Sequence, residues 1–135
     1  MTRPVAVGDE LPALKRTPGF AEWNRFAAVN CEFVPIHMDD EEGRRAGYPR
    51  AIGMGRLQWS YVHTMLRGWI GDTGRIVALS LEFRRPSLRD EPLAVRGRVL
   101  AVRGDGERQE VDLEVWVEDA GGAVLAPGSA TVELH

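Results

Sequence analysis

The chain has one cysteine, Cys31, among its 135 residues. A lone thiol excludes an internal disulfide framework and zinc-finger spacing, and it suits a reducing compartment. No run approaches the roughly 20 apolar residues that a membrane span requires. The opening residues Met1 to Asp9 lack the apolar core of a signal peptide, so a cytoplasmic protein is expected. A broad positive footprint is missing as well: net charge is −3, and the arginines are scattered rather than massed in a tail. Nucleic acid and membrane surfaces are therefore not expected partners. There is no His/Cys cluster with metal-ligand spacing, no Gly-rich phosphate loop and no Gly-x-Ser-x-Gly elbow. Internal repeats and low-complexity tracts are also missing.

What is present is ordinary globular material, 44% hydrophobic and 27% charged. The length suits one domain, residues 1–135, large enough for a real core. Glu10 to Arg16 reads as a short edge strand. Thr17-Pro18 reads as an N-cap followed by proline at the first helical position, opening an amphipathic helix over Phe20 to Val29. Residues 30–38 read as a loop, and Asp40 to Ala46 as a short helix ended by Gly47 and Pro49.

Ile52 to Ile70 is the most apolar segment. Leu57, Tyr61, Met65 and Trp69 recur at helical spacing, with one narrow polar stripe of Arg56, Ser60, His63 and Arg67. Such a helix is usually wrapped by other elements. The second half alternates instead. Val77, Leu79, Leu81 and Phe83 share one strand face. Leu93, Val95, Gly97 and Val99 belong to the next strand, and Val111, Leu113, Val115 and Val117 to a third. Ala130, Val132 and Leu134 point inward from a last strand over Val124 to Leu134. Gly104-Asp105-Gly106 and Ala120-Gly121-Gly122 supply the hairpin turns. An α+β domain follows, with its long helix packed on one face of an antiparallel meander.

Chemistry concentrates between these halves. Glu32 and His37 lie five residues apart in Glu32-Phe33-Val34-Pro35-Ile36-His37, ahead of the acidic run Asp39 to Glu42 and the helix start Gly53-Met54-Gly55. An imidazole with an ordinary pKa near 6.5 can give or take a proton at neutral pH. A carboxylate beside it can orient the ring or share the transfer. The amino end of a helix supplies backbone N–H groups and a dipole that favour developing negative charge.

These motifs, with Ala46-Gly47, Ile52-Gly53-Met54-Gly55-Arg56-Leu57, Leu81-Glu82-Phe83-Arg84-Arg85-Pro86 and Gly128-Ser129-Ala130-Thr131-Val132, resemble the MaoC-like hot-dog family. That family includes (R)-specific enoyl-CoA hydratases and 3-hydroxyacyl dehydratases. The family motif is departed from at named places: Glu32 stands for its Asp, Cys31 for the preceding Gly, Val34 for its Asn, Met54 for a His, and His63 for its Ser.

The resemblance implies a hot-dog fold, an antiparallel sheet wrapped around the helix from Ile52 to Ile70. It implies a hydro-lyase of fatty acid metabolism that hydrates or dehydrates an acyl thioester without metal or redox cofactor; CoA or a carrier belongs to the substrate. His37 and Glu32 take the catalytic places and Gly55 the oxyanion hole, while His63, Val34 and Met54 are candidate lining residues. Pairing into a homodimer, or with another hot-dog chain, is implied as well, and covering exposed sheet edges favours it independently. An inert acyl-binding subunit that partners an active paralogue, and a thioesterase, are the alternatives. His63, on a stripe with two arginines, reads better as part of a solvated or interface face, and Asp39 to Glu42 as an acidic first turn. Arg84, Arg85 and Arg89 read either as contacts to the phosphates of a CoA or carrier arm or as solvated strand-end charges.

Overall fold

The computed structural model describes residues 3–135. Strand β1 (Leu14–Arg16) and helix α1 (Phe20–Asn30) are followed by a 3₁₀ turn (Pro35–His37) and helix α2 (Asp40–Arg45). Helix α3 (Gly55–Ile70) leads into strands β2 (Arg75–Leu81), β3 (Leu93–Gly104), β4 (Gln109–Asp119) and β5 (Val124–Leu134). The strands form one five-stranded sheet in the order β1-β3-β4-β5-β2, and every pairing is antiparallel. The sheet curls around α3, which packs on β2, β3, β4 and β5. This is the hot-dog arrangement.

Alternation dictates the core. Val111, Leu113, Val115 and Val117 are all fully buried and meet Val95, Val99, Val132 and Leu134 over Val62, Met65, Leu66 and Ile70 of α3. Each such side chain contributes about 1.5–3 kcal/mol when removed from water. A smaller cluster of Trp23, Ala27, Ala51, Met54 and Leu57 lies between α1 and the start of α3. It anchors the helix end on which the candidate site is built. No helix among the described residues is long and apolar enough to cross a membrane.

Four local expectations are corrected. The long helix begins at Gly55 rather than Ile52, which instead makes an isolated bridge to Leu88. Helix α1 does not begin at Thr17-Pro18. Its N-cap is Gly19, whose amide donates to the Glu22 carboxylate at 2.8 Å, while the Pro18 carbonyl is taken by the Asp90 amide at 2.9 Å. The expected strand over Glu10 to Arg16 shrinks to residues 14–16 plus an isolated bridge from Glu10 to Arg98. On β2, a register shift between Ile76 and Ala78 breaks the alternation. Ile76, Leu79 and Leu81 are part-buried, whereas Val77 and Phe83 are 45% and 51% exposed.

Candidate active site

Pro35 fixes the site's first wall. The residue before a proline is driven to extended backbone, and Val34 sits at φ −88°, ψ 128°. The chain then turns through Pro35–His37 and buries the imidazole. The strand-like approach to α3 holds this turn at two points. The Ile52 amide donates to the Ile36 carbonyl at 3.1 Å, and His37 Nδ1 lies 2.7 Å from the Ile52 carbonyl. A carbonyl oxygen accepts and cannot donate, so Nδ1 carries the hydrogen in the neutral ring. Nε2 keeps its lone pair for other work.

Gly55 is the first residue of α3. The N-cap, Met54, is extended and offers no side-chain acceptor to the first-turn amides, which leaves the positive end of the helix dipole open to a ligand. A Cβ at Gly55 would stand 2.9 Å from Cδ2 of Phe83, so the glycine lets that ring lie against the helix start. Gly53 is pinned beside it. Its amide donates to the Ser87 carbonyl at 2.8 Å, and a Cβ there would run into Ser87 Oγ and the Trp23 ring.

His37 and Gly55 share a cleft of about 270 Å³, whose other walls include Tyr48, Gly53, Gln58, Phe83, Arg84 and Arg85. Gln58 was not anticipated. It is 3% exposed, one turn inside the helix, and its Oε1 has no hydrogen-bond partner among the described residues. An orphaned buried acceptor costs about 1–3 kcal/mol. A glutamine four residues after Met54 and four before Val62, on the apolar side of α3, was the signal available in the sequence.

The remaining expected residues fall elsewhere. Glu32 follows Cys31, the left-handed cap of α1, and its amide donates to the Ala27 carbonyl at 3.0 Å. One carboxylate oxygen, Oε2, is buried without a partner among the described residues, yet Glu32 is not among the walls of the His37 cleft. Val34 is 41% exposed on the approach loop, and Met54 is fully buried in the smaller core cluster. His63 lines a separate cleft of about 490 Å³ with Phe26, Asn30, Arg56, Trp59 and Ser60. Phe83 is a wall of both clefts.

The charges around the site divide into struts and free ends. Asp39 caps α2 by accepting from the Glu41 amide at 2.7 Å. Asp40 accepts from the Ala51 amide and from Arg89, at 2.6 Å for the closer nitrogen, tying α2 to the approach of α3. The Arg89 guanidinium holds the Asp40 carboxyl below the usual carboxylate range. Arg89 also pairs with Asp90 and lies over the Phe20 ring, so its place is a structural one. Arg84 and Arg85 stand at the cleft, Arg84 in an exposed pair with Glu82. Among the described residues no group of three His, Cys, Asp or Glu side chains could hold a metal.

No family model matches the chain. It is similar to the (R)-specific enoyl-CoA hydratase of Aeromonas caviae, at 29% identity over 129 residues, covering 95% of this chain and 94% of that protein. A solved structure described as the (R)-hydratase from A. caviae involved in PHA biosynthesis superposes with a TM-score of 0.87 at 27% identity, covering 97% of this chain and 98% of that one. Two further structures share the fold. One is the ChsH1-ChsH2 complex from Mycobacterium tuberculosis, with TM-score 0.85, 18% identity, 98% of this chain and 100% of the matched chain. The other is the MaoC-like dehydratase from Rhodospirillum rubrum, with TM-score 0.78, 20% identity, 96% of this chain and 92% of that one. The resemblance to MaoC-like hot-dog proteins read from the motifs is borne out, and so is the hot-dog fold.

Proposed function

We propose that the chain catalyses reversible hydration of a 2-enoyl thioester to a 3-hydroxyacyl thioester. The observation that carries this reading is the shared cleft, whose walls include both a buried imidazole, fixed through Nδ1, and Gly55 at the uncapped amino end of α3. Similarity to a hydratase along almost the whole chain supports it.

In the hydration direction the thioester oxygen lies against the Gly55 amide. His37 Nε2 takes a proton from water as the water oxygen bonds to C3. The electron pair of the C2–C3 double bond moves toward the thioester oxygen, where the Gly55 amide and the helix dipole stabilise the charge. The proton taken up by His37 is then delivered to C2 as the enolate collapses, which restores the neutral imidazole and completes the addition, and dehydration runs the same steps backward. Glu32 is the second proton-handling group of this reading, supported by its buried, unpartnered Oε2 on the loop that leads into His37. Because it stands outside the cleft walls, Glu32→Gln is expected to cost about tenfold in kcat/KM or less, well below the range of about 10²–10⁴ for a principal acid–base group. Steady-state kinetics of that variant with crotonyl-CoA measures the difference.

The substrate test is direct. Crotonyl-CoA and longer enoyl thioesters should lose their enoyl absorbance in the presence of the wild-type protein without release of free thiol. Thiol release instead would mark a thioesterase. Whether the acyl group arrives on CoA or a carrier protein is decided by the same assay with each thioester.

The separation of Glu32 from the His37 cleft favours one second reading, a catalytically weak subunit that completes the site of an active paralogue. Co-purification with a second hot-dog chain carrying the unaltered Asp and His supports it, and robust turnover by the isolated homodimer contradicts it.

A further inference from the structure

Gln58 is out of place on the buried face of α3, which it shares with Leu57, Val62, Met65, Leu66 and Ile70. It is 3% exposed, its neighbours at four-residue spacing are the fully buried Met54 and Val62, and its Oε1 meets no donor among the described residues. Buried polar groups without partners are rare in native proteins, and a substrate-binding cleft is one place where they are expected. Gln58 is among the residues that wall the cleft shared by His37 and Gly55.

A primary amide carries one acceptor oxygen and two donor hydrogens. Its last torsion is broad and roughly two-fold, so the group can swing toward a ligand with little strain. Within that cleft the thioester oxygen is assigned to the Gly55 amide and proton transfer to His37 Nε2. The hydroxyl on C3, or the water that becomes it, still needs an acceptor that aims its hydrogen away from the reacting lone pair. Tyr48, Phe83, Arg84 and Arg85, on the other walls, offer no comparably enclosed acceptor side chain.

We infer that the Gln58 side-chain amide binds the 3-hydroxyl group of the substrate, and the attacking water in the reverse direction, opposite His37. The inference deepens the proposed hydration reaction and rests on it. Gln58 is thus a specificity-determining contact, selecting acyl thioesters that carry oxygen at C3 over saturated ones.

The test is calorimetric binding of (R)-3-hydroxybutyryl-CoA and butyryl-CoA to the full chain, wild type and Gln58→Met, alongside crotonyl-CoA turnover. One good hydrogen bond predicts that wild type prefers the hydroxylated ligand by about tenfold. Gln58→Met keeps the length of the side chain and should bind both ligands equally. Its kcat/KM should fall about 10- to 100-fold, and its Tm should hold or rise, because the orphaned amide is gone. Should Gln58→Met fail to fold, Gln58→Asn, which keeps the amide but withdraws it by one methylene, should lose the same preference. Wild-type binding without preference, or an unchanged preference and rate in a folded variant, overturns the assignment. If wild type turns over no enoyl thioester yet prefers the hydroxylated ligand, and Gln58→Met loses that preference, the reaction is wrong and the Gln58 contact stands. If turnover is robust and Gln58→Met leaves rate and preference intact, the reaction stands and the contact is wrong.

Discussion

Cys31 ends α1 at φ 54°, ψ 41°, a left-handed position that glycine fills without steric cost. A non-glycine residue there strains against its own Cβ by roughly 1–2 kcal/mol, partly offset by the lower entropy of its unfolded chain. Cys31→Gly is therefore expected to stabilise the protein by about 0.5–1 kcal/mol, a rise of a few degrees in Tm on calorimetry. This loop illustrates what residue types alone reveal. Pro35 and His37 in sequence already announce a rigid turn that presents an imidazole, and Gly55 announces a helix start open to close approach. Which groups share a cleft was not legible. Glu32 and His37 are close in number, but the turn that opens at Pro35 redirects the chain between them. Gln58 lies 21 positions beyond His37 in the chain and enters the same cleft through the fold.

At the scale of elements, periodicity was the reliable guide wherever one face is fully buried. β3, β4, β5 and α3 could be read directly because a slip in register would expose a row of valines and leucines. The readings that shifted are those governed by contacts distant in sequence. The Pro18 carbonyl is held by Asp90, delaying α1, and the irregular register beside Val77 turns that side chain outward. The end of the sheet carries a further long-range feature. Glu133 of β5 is buried, and Arg75, Arg108 and His135 all reach its carboxylate. Hydrogen bonds from Arg75 and then Arg108 pull its pKa from the ordinary 4.5 down to about 2. Asp112 is likewise lowered to about 2, by Arg103 and Thr131. A lowered carboxyl stabilises the fold above its unfolded value, and that contribution is lost as pH falls through the folded value. Unfolding free energy should therefore decline from about pH 4.5 toward pH 2. In Glu133→Gln the decline should be shallower and stability at neutral pH lower. Denaturant melts across that range report both.

For the whole molecule the unpaired edge of β2 is decisive. An open strand edge templates pairing with another chain, and here it carries Val77, 45% exposed, with Phe83 just beyond the strand at 51%. Phe83 also walls the His37 cleft, so a second copy along this edge would enclose the site. The expected species in solution is a dimer. Val77→Lys should shift it toward monomer in sedimentation velocity, with a fall in turnover as the cleft loses its cover. A wild-type protein that stays monomeric at high concentration would contradict this.

The proposed hydration turns on one nitrogen, Nε2 of His37. The kcat/KM for crotonyl-CoA hydration by His37→Ala, compared with wild type at equal folded concentration, measures its worth. The account predicts a loss of about 10²–10⁴-fold, with fold and ligand binding retained. An unchanged rate in the variant would contradict it.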